Sequence, residues 1–133
     1  MDYLLDQIKK HEGYRARVYR CSEGFETIGY GFAIKDLELD EDIAEQILIR
    51  KLYDLNCKIQ DRFRWFDDLP KEVIVNMCYQ MGVTGFSKFK KTIFLLKHKD
   101  YTKASFEMLD SKWALQTPHR AEELSQILRN VGG

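Results

Sequence analysis

The narrowest constraint on this chain lies in residues 11–32, His-Glu-Gly-Tyr-Arg-Ala-Arg-Val-Tyr-Arg-Cys-Ser-Glu-Gly-Phe-Glu-Thr-Ile-Gly-Tyr-Gly-Phe. Arg17-Val18-Tyr19-Arg20 and Thr27-Ile28-Gly29-Tyr30-Gly31 alternate in character on either side of the turn-forming residues Cys21-Ser22-Glu23-Gly24. Alternation around such a turn predicts an antiparallel hairpin, whose arms run about 5 Å apart. An amphipathic stretch precedes it: Leu4, Leu5 and Ile8 share one side of a helix that Asp2 is placed to cap. Glu12 followed by Gly13 reads as that helix's C-terminus. Cys21 and Thr27, at the entrance and exit of the turn, can then face one ligand while Glu12 approaches from the helix end.

The remainder reads as helical. Phe32-Ala33-Ile34 extends a third short strand, and Lys35–Leu39 is a connector. Asp40 is a capping residue before a long helix from about Glu41 to Gln60, with Ile43, Ile47, Leu48, Leu52, Leu55 and Ile59 at helical spacing. Aromatic and charged residues from Phe63 to Asp68 mark a packed connection before Leu69-Pro70. Lys71–Met81 forms a buried helix through Val73, Ile74, Met77 and Cys78, closed by Gly82. Phe89–Lys97 gives another, with Ile93, Phe94 and Leu96 directed to the core. Asp100 caps the next, through Ala104, Phe106 and Leu109. Thr117-Pro118, a capping hydroxyl and then proline at the first helical position, starts a last helix to about Asn130.

Charge excludes little globally, since 21 basic and 21 acidic residues cancel. That balance argues against a nucleic-acid partner but allows a local basic face. One such face is in view: Lys88, Lys90, Lys91, Lys97, Lys99 and Lys103 are opposed along the chain only by Asp100. Such a run is usually a solvated helix face, and it can also draw a protein to anionic wall polymers. Three cysteines without a Cys-x-x-Cys pair indicate neither a disulfide framework nor a structural zinc site, and no metal or cofactor is expected. Cys57 and Cys78 read as small buried hydrophobes; Cys21 differs because it opens a polar turn. Met-Asp-Tyr-Leu-Leu-Asp-Gln lacks the apolar run of a signal peptide or membrane anchor.

Glu12, eight residues, Cys21, five residues, Thr27 resembles the catalytic constellation of the phage lysozymes of glycoside hydrolase family 24. Glu-Gly after the acid, Val-Tyr before the turn, Glu-Gly within it and Thr-Ile-Gly-Tyr-Gly after it match as well. Further matches are the run from Ile74 to Gly85, Ser111-Lys112-Trp113, and Gln116–Ala121. The resemblance spans essentially the whole chain, strongest over 10–32 and 74–121. It implies one α+β domain, 1–133, mostly helical, lysozyme-like and two-lobed. Its parts are a small N-terminal β-hairpin lobe over about 13–39, a long linking helix over about 40–60, and a helical lobe over about 61–133 that includes the N-terminal helix 2–11. The segment after the hairpin is shorter than usual for the family.

The implied function is that of a muramidase, or endolysin, cleaving the β-1,4 bond between N-acetylmuramic acid and N-acetylglucosamine in peptidoglycan. Such cleavage needs a proton for the leaving oxygen and stabilisation of an oxocarbenium-like centre. Of the three groups only Glu12 is a good acid; alone, a glutamate at a helix end would read as solvated. Many relatives carry aspartate where this chain has Cys21, and some carry cysteine. A thiol near its ordinary pKa of about 8.5 is only slightly ionised at neutral pH, so three roles stay open: a base after ionisation, a nucleophile, or a polar group that tolerates water. Cys21 can also be a turn residue without chemical duty. The resemblance favours water assisted by Cys21 together with Thr27, whose hydroxyl both accepts and donates, and hence inversion at the anomeric carbon.

Ala33, Tyr79, Thr92 and Glu107 fall at positions where a family member contacts substrate, and Gln80 adjoins them. Glu107 stands where that relative has a neutral amide. Tyr79 can stack on a sugar face or simply lie half-buried on its helix. Arg120 matches an arginine that pairs with the catalytic glutamate, against the plainer reading of a surface helix charge. Trp113 reads as core. Peptidoglycan strands are the implied partner, and the protein is expected to act as a monomer, held in the host cytoplasm until a holin gives it access to the wall. Two other readings remain: a non-catalytic wall-binding or tail-associated module, and a lytic transglycosylase, which needs an acid but no water-positioning threonine.

Overall fold

A computed structural model describes residues 1–66 and 70–132, so Asp67, Asp68 and Leu69 of the expected packed connection lie outside the described residues. The chain divides into two compact units, residues 1–44 and 45–133.

The first unit opens with α1 (Asp2–Glu12). Asp2 lies within the first turn rather than capping it; Met1 holds the cap position and makes no side-chain hydrogen bond there. At the other end the Gly13 N–H returns to the Lys9 carbonyl, 2.9 Å, so Glu12 is the last helical residue. β1 (Arg15–Arg20), β2 (Glu26–Gly29) and β3 (Phe32–Ala33) form an antiparallel sheet in the order β1-β2-β3. Tyr19 faces Thr27 and Arg20 faces Glu26, with an irregularity between Arg15 and Tyr19; Thr27 also faces Ala33, and Ile28 faces Phe32. Ile34, expected in the third strand, instead opens a 3-10 turn, Ile34–Asp36. Ring contacts tie the unit together: Tyr14 to Tyr30 at 5.5 Å, Tyr30 to Phe32 at 6.5 Å, and the Lys9 ammonium 5.7 Å from the Tyr30 ring centre.

α2 (Glu41–Arg62) begins where Asp40 accepts the Ile43 N–H at 2.9 Å, the expected cap. Of its apolar residues only Ile59 is fully buried, while Cys57, expected inside, is exposed. α3 (Lys71–Ser87) passes through the predicted stop. Gly82 takes φ 79°, ψ 162°, a positive φ that glycine tolerates, and the chain resumes its helix as far as Ser87. The resumption is favoured because it buries Phe86 completely.

α4 (Lys90–Lys97), α5 (Tyr101–Glu107), α6 (Lys112–Gln116) and α7 (Pro118–Gly132) complete the second unit. Asp100 caps α5 through the Lys103 N–H at 3.2 Å, and Ser111 caps α6 through Ala114 at 3.1 Å. The Thr117 hydroxyl donates back to the Trp113 carbonyl, 2.9 Å, so Pro118 starts α7 without the expected side-chain cap from Thr117 among the described bonds. α5 packs on α4 and α7. Leu96 and Ala104 are buried as expected, whereas Phe94 and Phe106 are exposed, the latter beneath the Arg129 guanidinium at 4.0 Å.

An aromatic chain runs through this core: Phe63 to Phe86 at 5.8 Å, Phe86 to Phe89 at 6.3 Å, and Phe89 to Trp113 at 6.0 Å. Phe86 is its centre and has no exposed surface. Phe86→Ala removes both the apolar transfer term and two ring contacts, so it should cost about 3–5 kcal/mol. Urea denaturation should show a lowered midpoint; a midpoint within experimental error of wild type would show that the core collapses around the void without loss.

Candidate active site

Thr27 is the only fully buried polar residue among the described residues of the first unit, 4% exposed. Sheet register explains its position, because it is paired on both sides, with Tyr19 and with Ala33. Directly paired residues project to the same face, so Tyr19, Thr27 and Ala33 share one side of the sheet. Cys21 lies two residues beyond Tyr19, and its N–H bonds to the Phe25 carbonyl at 2.9 Å, continuing the ladder. By the two-residue alternation of strands it belongs to the same side.

The two hydrogen-bonding side chains meet there. Thr27 Oγ1 donates to the Phe25 carbonyl at 3.0 Å and also lies in hydrogen-bonding reach of the Cys21 sulfur. One hydroxyl proton thus has two acceptors at hand. The Cys21 thiol is held below its ordinary pKa, first by a hydrogen bond from the Phe25 backbone and then by one from the Glu23 backbone. The Thr27 hydroxyl lowers it further, while partial burial and the Glu23 carboxylate oppose the shift.

The Glu12 carboxyl rests on Gly31. A Cβ on Gly31 would lie 2.5 Å from Glu12 Oε2 and 3.1 Å from its Cδ. Gly31 lies in the turn between β2 and β3, two residues before Ala33, the partner of Thr27. The first unit therefore carries an acid at the β2–β3 turn and a hydroxyl–thiol pair on one face of the sheet.

The other singled-out residues lie in the second unit. Thr92 and Glu107 line one cavity of about 340 Å³. Tyr79, 48% exposed, lines a different cavity of about 300 Å³ with Lys51, Asp54 and Lys58. Gln80 is held through its oxygen, which accepts the Trp113 indole N–H at 2.8 Å. Trp113 in turn abuts Phe89, a wall of the Thr92 cavity. Arg120 donates from Nε to the Asn76 side-chain oxygen at 2.7 Å and from a terminal nitrogen to the Asn76 carbonyl at 3.1 Å. Among the described residues no three His, Cys, Asp or Glu side chains are grouped to hold a metal ion.

Residues 9–127 match the family model for phage lysozyme. The chain belongs to the phage lysozyme family. Lysozymes are glycosidases of the bacterial wall, so its activity is peptidoglycan hydrolysis of the muramidase type. Among similar proteins are probable T4-type lysozymes 1 and 2 of Dictyostelium discoideum. They are 26% identical over 94% of this chain and 92% of the relative, and 27% identical over 93% and 92%. The pre-baseplate central spike protein Gp5 of Enterobacteria phage T4 is 25% identical over 94% of this chain but only 27% of its own length.

Two positioning contacts in this family member escape a reading of the sequence. Gly31 makes room for Glu12, and the sole trace of that is its place in Thr-Ile-Gly-Tyr-Gly. Trp113, read as core, is 8% exposed and also fixes Gln80; no local pattern joins residues 33 positions apart.

The lowered pKa of Cys21 has a direct test. Thiolate forms at a lower pH in the folded protein than in the unfolded chain, so the pH profile of Cys21 alkylation should move down on folding. Cys78, buried and pushed up to about 12, stays unreactive in the folded state, and a Cys57→Ser background removes the exposed thiol. Alkylation with iodoacetamide, followed at the Cys21 peptide by mass spectrometry, should show the downward displacement. Coincident folded and urea-unfolded profiles would contradict it.

Proposed function

We propose that this phage lysozyme cleaves the β-1,4 bond between N-acetylmuramic acid and N-acetylglucosamine with inversion at the anomeric carbon. Glu12 gives its proton to the leaving oxygen. Cys21 and Thr27 together hold and activate the water that attacks the opposite face of the sugar. The observation that carries this reading is the buried Thr27 hydroxyl in reach of the Cys21 sulfur, in the same unit whose β2–β3 turn holds the Glu12 carboxyl against Gly31.

Ala33, on the face of Thr27, contacts the glycan beside the scissile bond, and Tyr79, Gln80, Thr92 and Glu107 supply further sugar contacts. Arg120, held by Asn76, is a supporting residue of the working enzyme. The lysozyme acts as a monomer and reaches the wall from the host cytoplasm by way of a holin; no helix among the described residues is long and apolar enough to cross a membrane.

Muropeptide analysis by mass spectrometry and NMR tests the reaction type. Hydrolysis with inversion yields a reducing muramic acid end that appears first as the α anomer. An anhydro-sugar end would assign a lytic transglycosylase, and a first-formed β anomer a retaining enzyme. The similarity to part of the phage spike protein favours one second reading, a tail-associated module that binds walls without turnover; release of no product at all would select it. In the same assay Cys21→Asp should retain activity, because a carboxylate takes over the attack-side role without first losing a proton from sulfur.

A further inference from the structure

The exposed side of α4 has a composition that the fold does not use. Thr92 and Leu96 are the buried residues of this helix. At 3.6 residues per turn Phe94 lies on the side opposite both, and it is 60% exposed. Its neighbours three and four positions away are Lys90, Lys91, Lys97 and His98, every one of them exposed. The His98 ring lies against it, 4.2 Å between ring centres. The solvated face of a helix is ordinarily polar throughout. Here an aromatic ring stands in the middle of a basic one.

Two further observations extend this face. A cavity of about 350 Å³ opens beside Phe94, where Leu95 adds apolar lining, Lys90 and Lys91 add ammonium groups, and Glu107 is the acid. The positive charge is also largely uncompensated. Lys103 pairs with Asp100 at 3.8 Å, whereas Lys88, Lys90, Lys91, Lys97 and Lys99 are exposed and have no ion pair among the described residues.

We infer that this face of α4 docks the lysozyme on an anionic phospholipid surface. Phe94 and Leu95 enter the boundary between headgroups and acyl chains, and the surrounding lysines contact lipid phosphates. Charge complementarity calls for an anionic partner, and the ring selects among anionic partners. A phosphate polymer of the wall takes up the ammonium groups but offers Phe94 no apolar medium. A bilayer interface accepts both, because aromatic side chains bury there while lysine stems lie along the apolar surface with their ammonium groups in water. Such docking is peripheral and needs no membrane-spanning helix. It is separate from the cleavage mechanism, since none of the groups proposed for catalysis lies on this face.

The test uses the whole chain and vesicles of phosphatidylglycerol mixed with phosphatidylcholine, read by co-sedimentation. The protein should bind these vesicles, and should bind pure phosphatidylcholine vesicles far less. Phe94→Ala should weaken binding about tenfold, the scale of loss when an aromatic side chain no longer leaves water, and Phe94→Trp should restore it. Lys90→Gln and Lys97→Gln should each weaken it about fivefold, as expected for one lysine near an anionic membrane. Binding to soluble polyphosphate should fall with the lysine variants but not with Phe94→Ala. Hydrolysis of purified walls, which hold no bilayer, should be the same for Phe94→Ala and wild type. Vesicle binding that is indifferent to Phe94→Ala would overturn the inference and assign the face to phosphate polymers. Equal binding to both kinds of vesicle, or to neither, would overturn it as well. A loss of wall hydrolysis in Phe94→Ala, with vesicle binding unchanged, would place Phe94 on the glycan instead.

Discussion

Glu12→Gln should lower the rate of wall hydrolysis by about 10²–10⁴-fold, the usual contribution of a positioned general acid. The amide keeps the size and planarity of the carboxyl and still fits against Gly31, so packing changes little. What it lacks is the acidic proton. The leaving oxygen of a glycosidic bond departs poorly as an alkoxide, and an amide has no proton to give it. Because the loss falls on the transition state, turnover should drop while wall binding persists. Turbidity loss of permeabilised cells, read beside co-sedimentation with intact walls, separates the two effects. A Glu12→Gln protein that lyses at the wild-type rate would remove Glu12 from the mechanism and leave the tail-associated binding module, or an acid elsewhere, as the better account.

Parts of this molecule are legible in the chain because they depend on near neighbours. Asp40 and Asp100 cap their helices as their positions predict, since a cap is a bond across three residues. The turn over Cys21–Gly24 closes as expected, with the Gly24 N–H on the Cys21 carbonyl at 2.9 Å. The same locality places Thr27 and Cys21 on one side of the sheet, because alternation and turn length together set the register. The reading weakens where tertiary burial competes with local signals. Gly82 breaks a helix without ending it, because Phe86 beyond it completes the core. Phe94 and Phe106 fit the helical period yet remain outside, and Arg129 covers the face of Phe106. Cys57 shows the limit of composition: its chemistry resembles that of Cys78, but its position on α2 leaves it in solvent. The Gln80–Trp113 bond joins segments far apart in sequence, so it leaves no periodic trace.

Gly31→Ala should reduce turnover about 100-fold, the scale of loss when a reacting group is displaced by about 1 Å. Two separate costs converge on this residue. Its φ of 76° lies in the left-handed region, where an L side chain costs about 1–2 kcal/mol. Its missing Cβ is also the space that Glu12 occupies: a methyl would stand 2.5 Å from Oε2, well inside contact distance. That oxygen is the end of a flexible side chain, so the acid moves and the fold persists. Gly24→Ala separates the two costs. Gly24 has the same kind of backbone, φ 85°, but a Cβ there meets nothing within 4 Å. Both variants should lose comparable stability to urea, while only Gly31→Ala should lose turnover far beyond that loss. If the two variants fall equally in rate, backbone strain alone explains the defect, and the contact between Gly31 and Glu12 has no part in placing the acid.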